Sequence, residues 1–123
     1  MTFKIVIPAR YQSSRLEGKA LLDIAGIPMV IHVVKQSLKS KANEVVVATD
    51  DQNIFDVVSK YGFKVMMTNI NHKSGTDRIA EVVNSMGWSD NEIVVNVQGD
   101  EPLIDPLLIN QVAEYLDHKE DIL

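Results

Sequence analysis

The stretch Ile5-Val-Ile-Pro-Ala-Arg-Tyr-Gln-Ser-Ser-Arg-Leu-Glu-Gly-Lys19 joins an apolar run to a polar loop, and it best indicates how the chain folds. Residues 3–7 show no polar alternation at their centre, which is typical of a strand covered on both faces of a parallel sheet. Three cations follow it: Arg10, Arg15 and Lys19. Ligands of such sheets bind beyond the carboxyl ends of the strands. We therefore expect these cations to lie where a polyanion binds.

Length and composition favour one compact α/β domain over residues 1–123, because 123 residues that are 46% hydrophobic are too few for two domains. The formal net charge of −5 argues against nucleic acid as a partner, although a local basic pocket can still bind a small phosphorylated ligand. The chain has no cysteine, which excludes a disulfide framework and a thiolate metal site. Its apolar runs are too short for a signal peptide or a membrane span, so we expect a cytoplasmic protein without membrane contact.

Hydrophobic periodicity predicts four strands that alternate with four helices. The predicted strands are residues 3–7, 44–48, 63–67 and 93–97. The first helix is predicted from the stripe Ile27, Val30, Ile31, Val34 and Leu38, with Pro28 in its first turn. The second follows Asp50 as candidate N-cap and ends before Gly62, the third starts near Thr76, and the fourth is entered through Pro106.

Strict alternation of strands and helices predicts a Rossmann-like, doubly wound parallel sheet with right-handed crossovers and helices on both faces. The predicted strand order is 3-2-1-4, because the loops after strands one and four must meet if Arg10 and Asp100 are to share one ligand. All the polar loops that follow the strands then lie at one edge of the sheet.

The chemistry of this edge points to nucleotidyl transfer. The dinucleotide fingerprint G-x-G-x-x-G is absent, and residues 13–20 have Ser and Ala where a P-loop needs its first Gly and its hydroxyl residue. Guanidiniums and an ammonium in the first loop can bracket a triphosphate. Asp100 supplies a hard oxygen ligand of the kind that holds Mg²⁺ together with waters and phosphates.

Three motifs carry a resemblance to the 3-deoxy-manno-octulosonate (Kdo) cytidylyltransferases, also called CMP-Kdo synthetases. They are Pro8-Ala-Arg-Tyr-x-Ser-x-Arg-Leu-x-Gly-Lys19, His72-Lys-Ser-Gly-Thr-Asp-Arg78 and Val95-Asn-Val-Gln-Gly-Asp-Glu-Pro102. The resemblance runs along the whole chain but covers only the amino-terminal half of such an enzyme, whose other half carries further sugar contacts, a second metal carboxylate and the homodimer interface. Glu17 stands where the family commonly has proline.

The resemblance implies roles for individual residues. The implied catalytic residues are Arg10, Arg15, Lys19 and Asp100, with the three cations on the CTP phosphates and Asp100 as the Mg²⁺ ligand. The implied nucleotide-binding residues are Ala9, Arg10, Arg15, Lys19, Ser74, Gly75, Arg78 and Gln98. The implied reaction transfers CMP from CTP to the anomeric hydroxyl of Kdo for lipopolysaccharide biosynthesis and releases pyrophosphate.

Other interpretations remain open at this point. Loop cations are usually solvated surface charges, Ser74 and Asp77 fit a helix cap as well as a ligand, and Asp100 fits a turn before Pro102. Arg78 sits badly in the first turn of a helix because of the helix dipole, which favours a functional reason for it. The chain as a whole also fits a noncatalytic nucleotide-binding module, or a cytidylyltransferase for a related acidic sugar such as 8-amino-Kdo or sialate.

Overall fold

The computed structural model describes residues 2–11, 17–69, 75–89 and 91–118, with residues 75 and 76 as backbone. Arg15 and Ser74, both predicted site residues, lie outside these ranges. The strands are β1 (Phe3–Pro8), β2 (Asp23–Ile24), β3 (Ile27–Pro28), β4 (Glu44–Thr49), β5 (Val65–Met67) and β6 (Ile93–Asn96). The α-helices are α1 (Met29–Leu38), α2 (Gln52–Lys60), α3 (Gly75–Met86) and α4 (Pro106–His118), and Lys19–Leu21 form a short 3₁₀ helix.

The main sheet has four parallel strands in the order β5-β4-β1-β6. These are the predicted strands three, two, one and four, so the predicted Rossmann-like topology and strand order are confirmed. Ile5 pairs with Val45 on one side and with Val95 on the other, which places β1 at the centre of the sheet. The adjacency of β1 and β6 brings the loop that carries Arg10 and the loop that carries Asp100 to one point.

Alternate residues of the central strands pack on opposite faces of the sheet, as the period of a strand requires. Ile5 and Ile7 belong to a core cluster that they share with apolar residues of α1, α2 and α4. Val6 lies on the other face, in a smaller cluster with Val82 of α3. Helices therefore cover both faces, as predicted. All six residues of β1 are buried, and each fully buried Ile or Val is worth about 1.5–3 kcal/mol in transfer free energy, so this strand is the apolar centre of the fold.

A small antiparallel hairpin, β2 paired with β3, was not predicted from the sequence. Its turn is Ala25-Gly26, and both residues have positive φ, 54° and 84°, as a two-residue turn of the I′ kind requires. The prediction that Ile27 begins the first helix is therefore wrong, because Ile27 pairs with Ile24 and the helix begins at Met29. Pro28 occupies the N-cap position instead of the first turn.

Asp51, not Asp50, caps α2: its carboxylate accepts a hydrogen bond of 3.0 Å from the backbone N–H of Ile54. The predicted N-cap was one residue early, because Asp50 is used elsewhere. Gly62, with a φ of 83°, follows the end of α2 as predicted.

In the described part of the chain, no helix has the length and apolar character needed to cross a membrane.

Candidate active site

The polar loops that follow β1 and β6 meet at the carboxyl end of the sheet. The chain leaves β1 toward β4 on one side, and β6 lies on the other side, so the boundary between β1 and β6 is the point where strand order reverses. In open α/β sheets, ligands bind in the crevice at this kind of point. The candidate site therefore lies where the general rule for this fold places it.

The first loop returns to the end of β1 through a closing hydrogen bond. The backbone N–H of Gly18 donates to the carbonyl of Tyr11 at 2.7 Å. Gly18 has a φ of 74°, a conformation that favours glycine, and a Cβ there would crowd the Tyr11 ring at 3.2 Å. The next residue, Lys19, begins the 3₁₀ helix, while Arg10 is exposed just beyond β1. The structure thus brings two of the three predicted cations to this edge.

Lys19 and Asp100 form an ion pair across the two loops. The Lys19 ammonium lies 3.2 Å from a carboxylate oxygen of Asp100, and the side chains are 37% and 50% exposed. An ion pair this exposed contributes about 0–1 kcal/mol, so it can exchange for other partners at little cost. Two predicted site residues are therefore in contact and remain accessible to a ligand.

The loop that follows β6, called the fourth loop here because β6 is the predicted fourth strand, lies close against the end of β1. A Cβ on Gly99 would lie 3.0 Å from the Pro8 carbonyl oxygen and 3.2 Å from the Ala9 Cβ, so any larger residue would push the two loops apart by a few tenths of an ångström. The buried Ala9 is held in turn by a hydrogen bond from its N–H to the Ala48 carbonyl. Asp100, directly after Gly99, is thereby fixed beside the first loop.

A second contact holds the same loop from α1. The side-chain amide of Gln36 donates to the carbonyl of Ile104 at 2.9 Å. Gln98, a predicted nucleotide and sugar contact, is exposed at the edge, and its amide donates to the side-chain oxygen of Asn96 at 3.3 Å. His32 is half-buried, and its Nε2 lies 2.6 Å from the carbonyl oxygen of Ile24 in the hairpin.

Asp100 is the carboxylate of this edge that the resemblance assigns to a metal ion. Among the described residues, no group of three or more His, Asp or Glu side chains could hold a metal ion. A half-exposed Asp100 beside a cationic loop instead fits the usual mode of Mg²⁺, which is bound by one or two carboxylates, by waters and by substrate phosphates.

Arg78 is buried at the neighbouring part of the edge, with 1% of its side chain exposed. Its guanidinium donates to a carboxylate oxygen of Asp50 at 3.1 Å, to the hydroxyl of Thr68, and to the carbonyl of Asn69 at 3.4 Å. These acceptors offset the cost of placing a cation in the first turn of a helix. The resemblance assigns Arg78 to the nucleotide, and the structure places its guanidinium inside the protein, joining α3 to the ends of β4 and β5.

Asp50 and Thr68 are residues of this edge that sequence reasoning did not assign to the site. One signal was present in the sequence: the doublet Asp50-Asp51 after β4 provides two carboxylates where a helix cap needs only one. Gly75, a predicted nucleotide contact, is the first residue of α3 and lies at the same side of the sheet as Arg78.

Comparison with known proteins identifies the family of the chain. A family model described as cytidylyltransferase matches residues 4–122. The chain belongs to the cytidylyltransferase family. Among curated relatives, this cytidylyltransferase chain is 60% identical over 116 residues to the 3-deoxy-manno-octulosonate cytidylyltransferase of Vibrio vulnificus strain YJ016. It is 56% identical over 116 residues to the enzyme of the same name from Haemophilus influenzae strain PittGG. In both comparisons the match covers 94% of this chain and 46% of the relative, so the chain spans about half the length of the curated relatives it matches.

Solved structures show the same relationship. A CMP:2-keto-3-deoxy-manno-octonic acid synthetase complexed with CTP superposes with a TM-score of 0.81 at 45% identity, over 98% of this chain and 47% of the other. A nucleotidyl transferase from Methanothermobacter, with a TM-score of 0.75 at 21% identity, shares the fold. The predicted resemblance to the Kdo cytidylyltransferases is confirmed, as is the α/β nucleotidyltransferase fold.

Proposed function

We propose that this chain provides the CTP-binding part of an enzyme that transfers CMP from CTP to 3-deoxy-manno-octulosonate, with release of pyrophosphate. The observation that carries the proposal is the accessible Lys19–Asp100 pair at the β1–β6 boundary, in a chain of the cytidylyltransferase family. A cation for phosphates and a carboxylate for a metal are the two charges that nucleotidyl transfer needs side by side.

Arg10, Arg15 and Lys19 are the proposed phosphate ligands. A guanidinium matches two phosphate oxygens at once, and an ammonium acts as a compact point charge. The loop that joins Arg10 to Lys19 is closed by the Gly18–Tyr11 hydrogen bond, which supports the idea that both cations face one bound triphosphate.

Asp100 is the proposed Mg²⁺ ligand. When bound, the ion neutralises charge on the phosphate oxygens and polarises the phosphorus that is attacked. Asp100 is held beside that position by the close contact of Gly99 with β1. Lys19 is free to leave Asp100 for a phosphate oxygen, because their exposed ion pair contributes little stability.

The proposed reaction needs no protein nucleophile. The anomeric oxygen of the sugar forms a bond to the α-phosphorus, the bond from this phosphorus to the bridging oxygen of the β-phosphate breaks, and the hydroxyl proton passes to solvent. Pyrophosphate leaves with the electron pair of the broken bond. Positioning and charge neutralisation supply most of the rate, and the chain's own cations serve both purposes.

The nucleoside end of CTP is proposed to lie over β4 and β5. Ala9, Ser74 and Gly75 are its proposed contacts, while the buried Arg78 acts by holding the first turn of α3. Gln98, which follows β6, is proposed to face both nucleotide and sugar. Neighbouring strands are about 4.8 Å apart, so β5 lies about 10 Å from β1, which suits a nucleotide stretched along the edge from its phosphates to its base.

A second candidate is a nucleotide-binding chain that does not turn over by itself. It is favoured by the coverage of the relatives, since a match to 46% of their length leaves the remaining parts of a sugar site unaccounted for. Pyrophosphate release with CTP, Mg²⁺ and Kdo separates the two. We expect the 123-residue chain to bind CTP weakly and to release little pyrophosphate, and robust release would show that its site is complete.

The remaining assignments belong to the same proposal. They are Mg²⁺ as the ion, homodimer assembly of the whole enzyme, a cytoplasmic location, and Kdo as acceptor in preference to 8-amino-Kdo or sialate. Comparing these acceptors with the whole enzyme in the pyrophosphate assay tests the last point, and preference for sialate would contradict it.

A further inference from the structure

We propose that Asp50 is a positioning residue for nucleotide binding: through its ion pair with Arg78 it holds the first turn of α3 against the ends of β4 and β5, where the nucleoside of CTP binds. The inference rests on the proposed function and deepens it. It assigns a task to a carboxylate that neither helix capping nor phosphate binding explains.

The contacts of Arg78 join three elements at one point. Asp50 directly follows β4, Thr68 directly follows β5, and Arg78 is the fourth residue of α3. Both charged side chains are largely enclosed, with 1% of Arg78 and 13% of Asp50 exposed. A charge that is this well buried needs a partner of opposite charge, because burial removes the water that would otherwise solvate it. The pair therefore fixes its own geometry much more firmly than the exposed Lys19–Asp100 pair.

Two side chains of α3 bond to the backbone of Asn69, one at its carbonyl and one at its N–H. Arg78 donates to the Asn69 carbonyl at 3.4 Å, and the Asn69 N–H donates to the carboxylate of Glu81 at 3.0 Å. Thr68 is anchored to β4 as well, because its N–H donates to the Thr49 carbonyl at 2.8 Å. The beginning of α3 is thus tied to the chain just after β5, and β5 is tied to β4.

The position of Gly75 depends on this arrangement. Gly75 begins α3, three residues before Arg78, and backbone N–H groups at the start of a helix have no partner within the helix. Those groups can serve a ligand only if the first turn is held still. Asp51 already caps α2, so Asp50 is not needed for that purpose, and its carboxylate is directed to Arg78 instead.

The test compares two ligands that share the phosphate end. CTP and inorganic tripolyphosphate, each with Mg²⁺, are titrated calorimetrically against wild type and Asp50→Asn at a temperature where circular dichroism shows both proteins folded. Asp50→Asn is expected to weaken CTP by roughly tenfold, which is the loss of about one well-placed hydrogen-bonded contact, and to change tripolyphosphate by less than about twofold. A merely structural role would not separate the two ligands.

Further variants guard against a failure to fold and against a general charge effect. Thr68→Val removes one acceptor of Arg78 while keeping Asp50, and is expected to show the same separation in smaller degree. Asp50→Glu keeps the charge and is expected to retain most of the CTP affinity. Asp51→Asn removes the neighbouring charge but still caps α2, since Asn caps as well as Asp, and is expected to bind both ligands as wild type does.

Three results would overturn the inference. Folded Asp50→Asn and Thr68→Val could bind CTP as wild type does, or could lose CTP and tripolyphosphate equally. Wild type could also bind neither ligand, in which case the proposed function fails and the inference fails with it. The first two results leave the proposed function intact.

Discussion

Lys19 Nζ lies 3.2 Å from Asp100 Oδ2, although the two residues are 81 positions apart in the sequence. The contact exists because β1 and β6 are neighbours in the sheet and because Gly99 lets the fourth loop approach the end of β1. In this arrangement Asp100 fills the position in which a phosphate would contact Lys19. Lys19 in turn fills the position in which a metal ion would contact Asp100. The pair therefore marks the point where metal and phosphate meet in the proposed reaction.

Replacing Asp100 by Asn is expected to weaken Mg²⁺-dependent CTP binding on the order of tenfold or more, because an amide keeps the shape but loses the charge that holds the ion. The free energy of unfolding should change by less than about 0.5 kcal/mol, since the ion pair is exposed. Calorimetric titration with and without Mg²⁺, together with urea unfolding, measures both. Asp105→Asn is the matched control, because the Asp105 side chain accepts a hydrogen bond from the Leu107 N–H and an Asn side chain can accept it too. Equal CTP affinities for Asp100→Asn and wild type in Mg²⁺ would rule out Asp100 as the metal ligand.

Replacing Lys19 by Ala is expected to weaken CTP by roughly tenfold and to leave cytidine unchanged, because only CTP carries the phosphates that the ammonium contacts. Arg15→Ala should act in the same direction. Titration of both ligands against each variant measures the separation, and Lys60→Ala, an exposed cation at the end of α2, serves as control. If CTP and cytidine lost affinity equally, the first loop would be structural.

The sheet could be predicted because its central strands are continuous apolar runs bounded by polar loops. Residues 3–7 and 44–48 have the pattern of buried strands. The requirement that Arg10 and Asp100 meet correctly placed predicted strand four beside strand one. Strand and helix ends were less accurate: β5 begins at Val65, not at Phe63, and β6 ends at Asn96, not at Val97. Such ends depend on hydrogen bonds to neighbouring strands, which periodicity does not report.

Two features could not be read from local pattern. The β2–β3 hairpin has strands of two residues, too short for any alternation, and its Ala25-Gly26 turn lacks the Asn-Gly or Asp-Gly signal. The Asp50–Arg78 pair joins residues 28 positions apart, and capping rules cannot tell which of two adjacent aspartates faces a distant guanidinium. The poor fit of Arg78 to the helix dipole favoured a functional reason for it, and the structure shows that its guanidinium pairs with Asp50.

Gly99→Ala is expected to destabilise the fold by about 1–3 kcal/mol, the usual cost of inserting a methyl group into a close-packed contact, here with the Pro8 carbonyl and Ala9. It should also weaken Mg²⁺-dependent CTP binding, because the displaced loop carries Asp100. Urea unfolding and CTP titration test this. Gly62→Ala provides the comparison: it strains a φ of 83° where a Cβ meets nothing, so it should cost stability without affecting CTP. A Gly99→Ala protein as stable as wild type would show that the approach of the two loops is not tight.

At the amino end of the parallel strands, Glu44 is expected to make the free energy of unfolding depend on pH. Its pKa lies below the ordinary 4.5, chiefly because Lys64 donates a hydrogen bond to it at 2.6 Å. Because the pKa is lowered in the folded state, this contribution is complete above the unfolded pKa and is lost as the pH falls through the folded one. Glu44→Gln should cost about 0.5–1 kcal/mol at neutral pH and almost nothing once wild-type Glu44 is protonated. Urea unfolding at a series of pH values, from neutral to below the folded pKa of Glu44, measures this cost. The exposed Glu114→Gln serves as control. A cost that did not shrink on acidification would contradict the assignment.

We propose that CTP and a divalent metal bind at the carboxyl edge of the sheet, between the loops after β1 and β6. The most direct test is a titration of the ¹⁵N-labelled chain with CTP and Mg²⁺, followed by amide chemical shifts. We expect the largest shifts at Ala9, Lys19, Gly99 and Asp100. The amides of Glu44 and Lys64, at the amino end of the strands, should hardly move. Shifts confined to the amino end of the strands, or no shifts at millimolar CTP, would contradict this proposal.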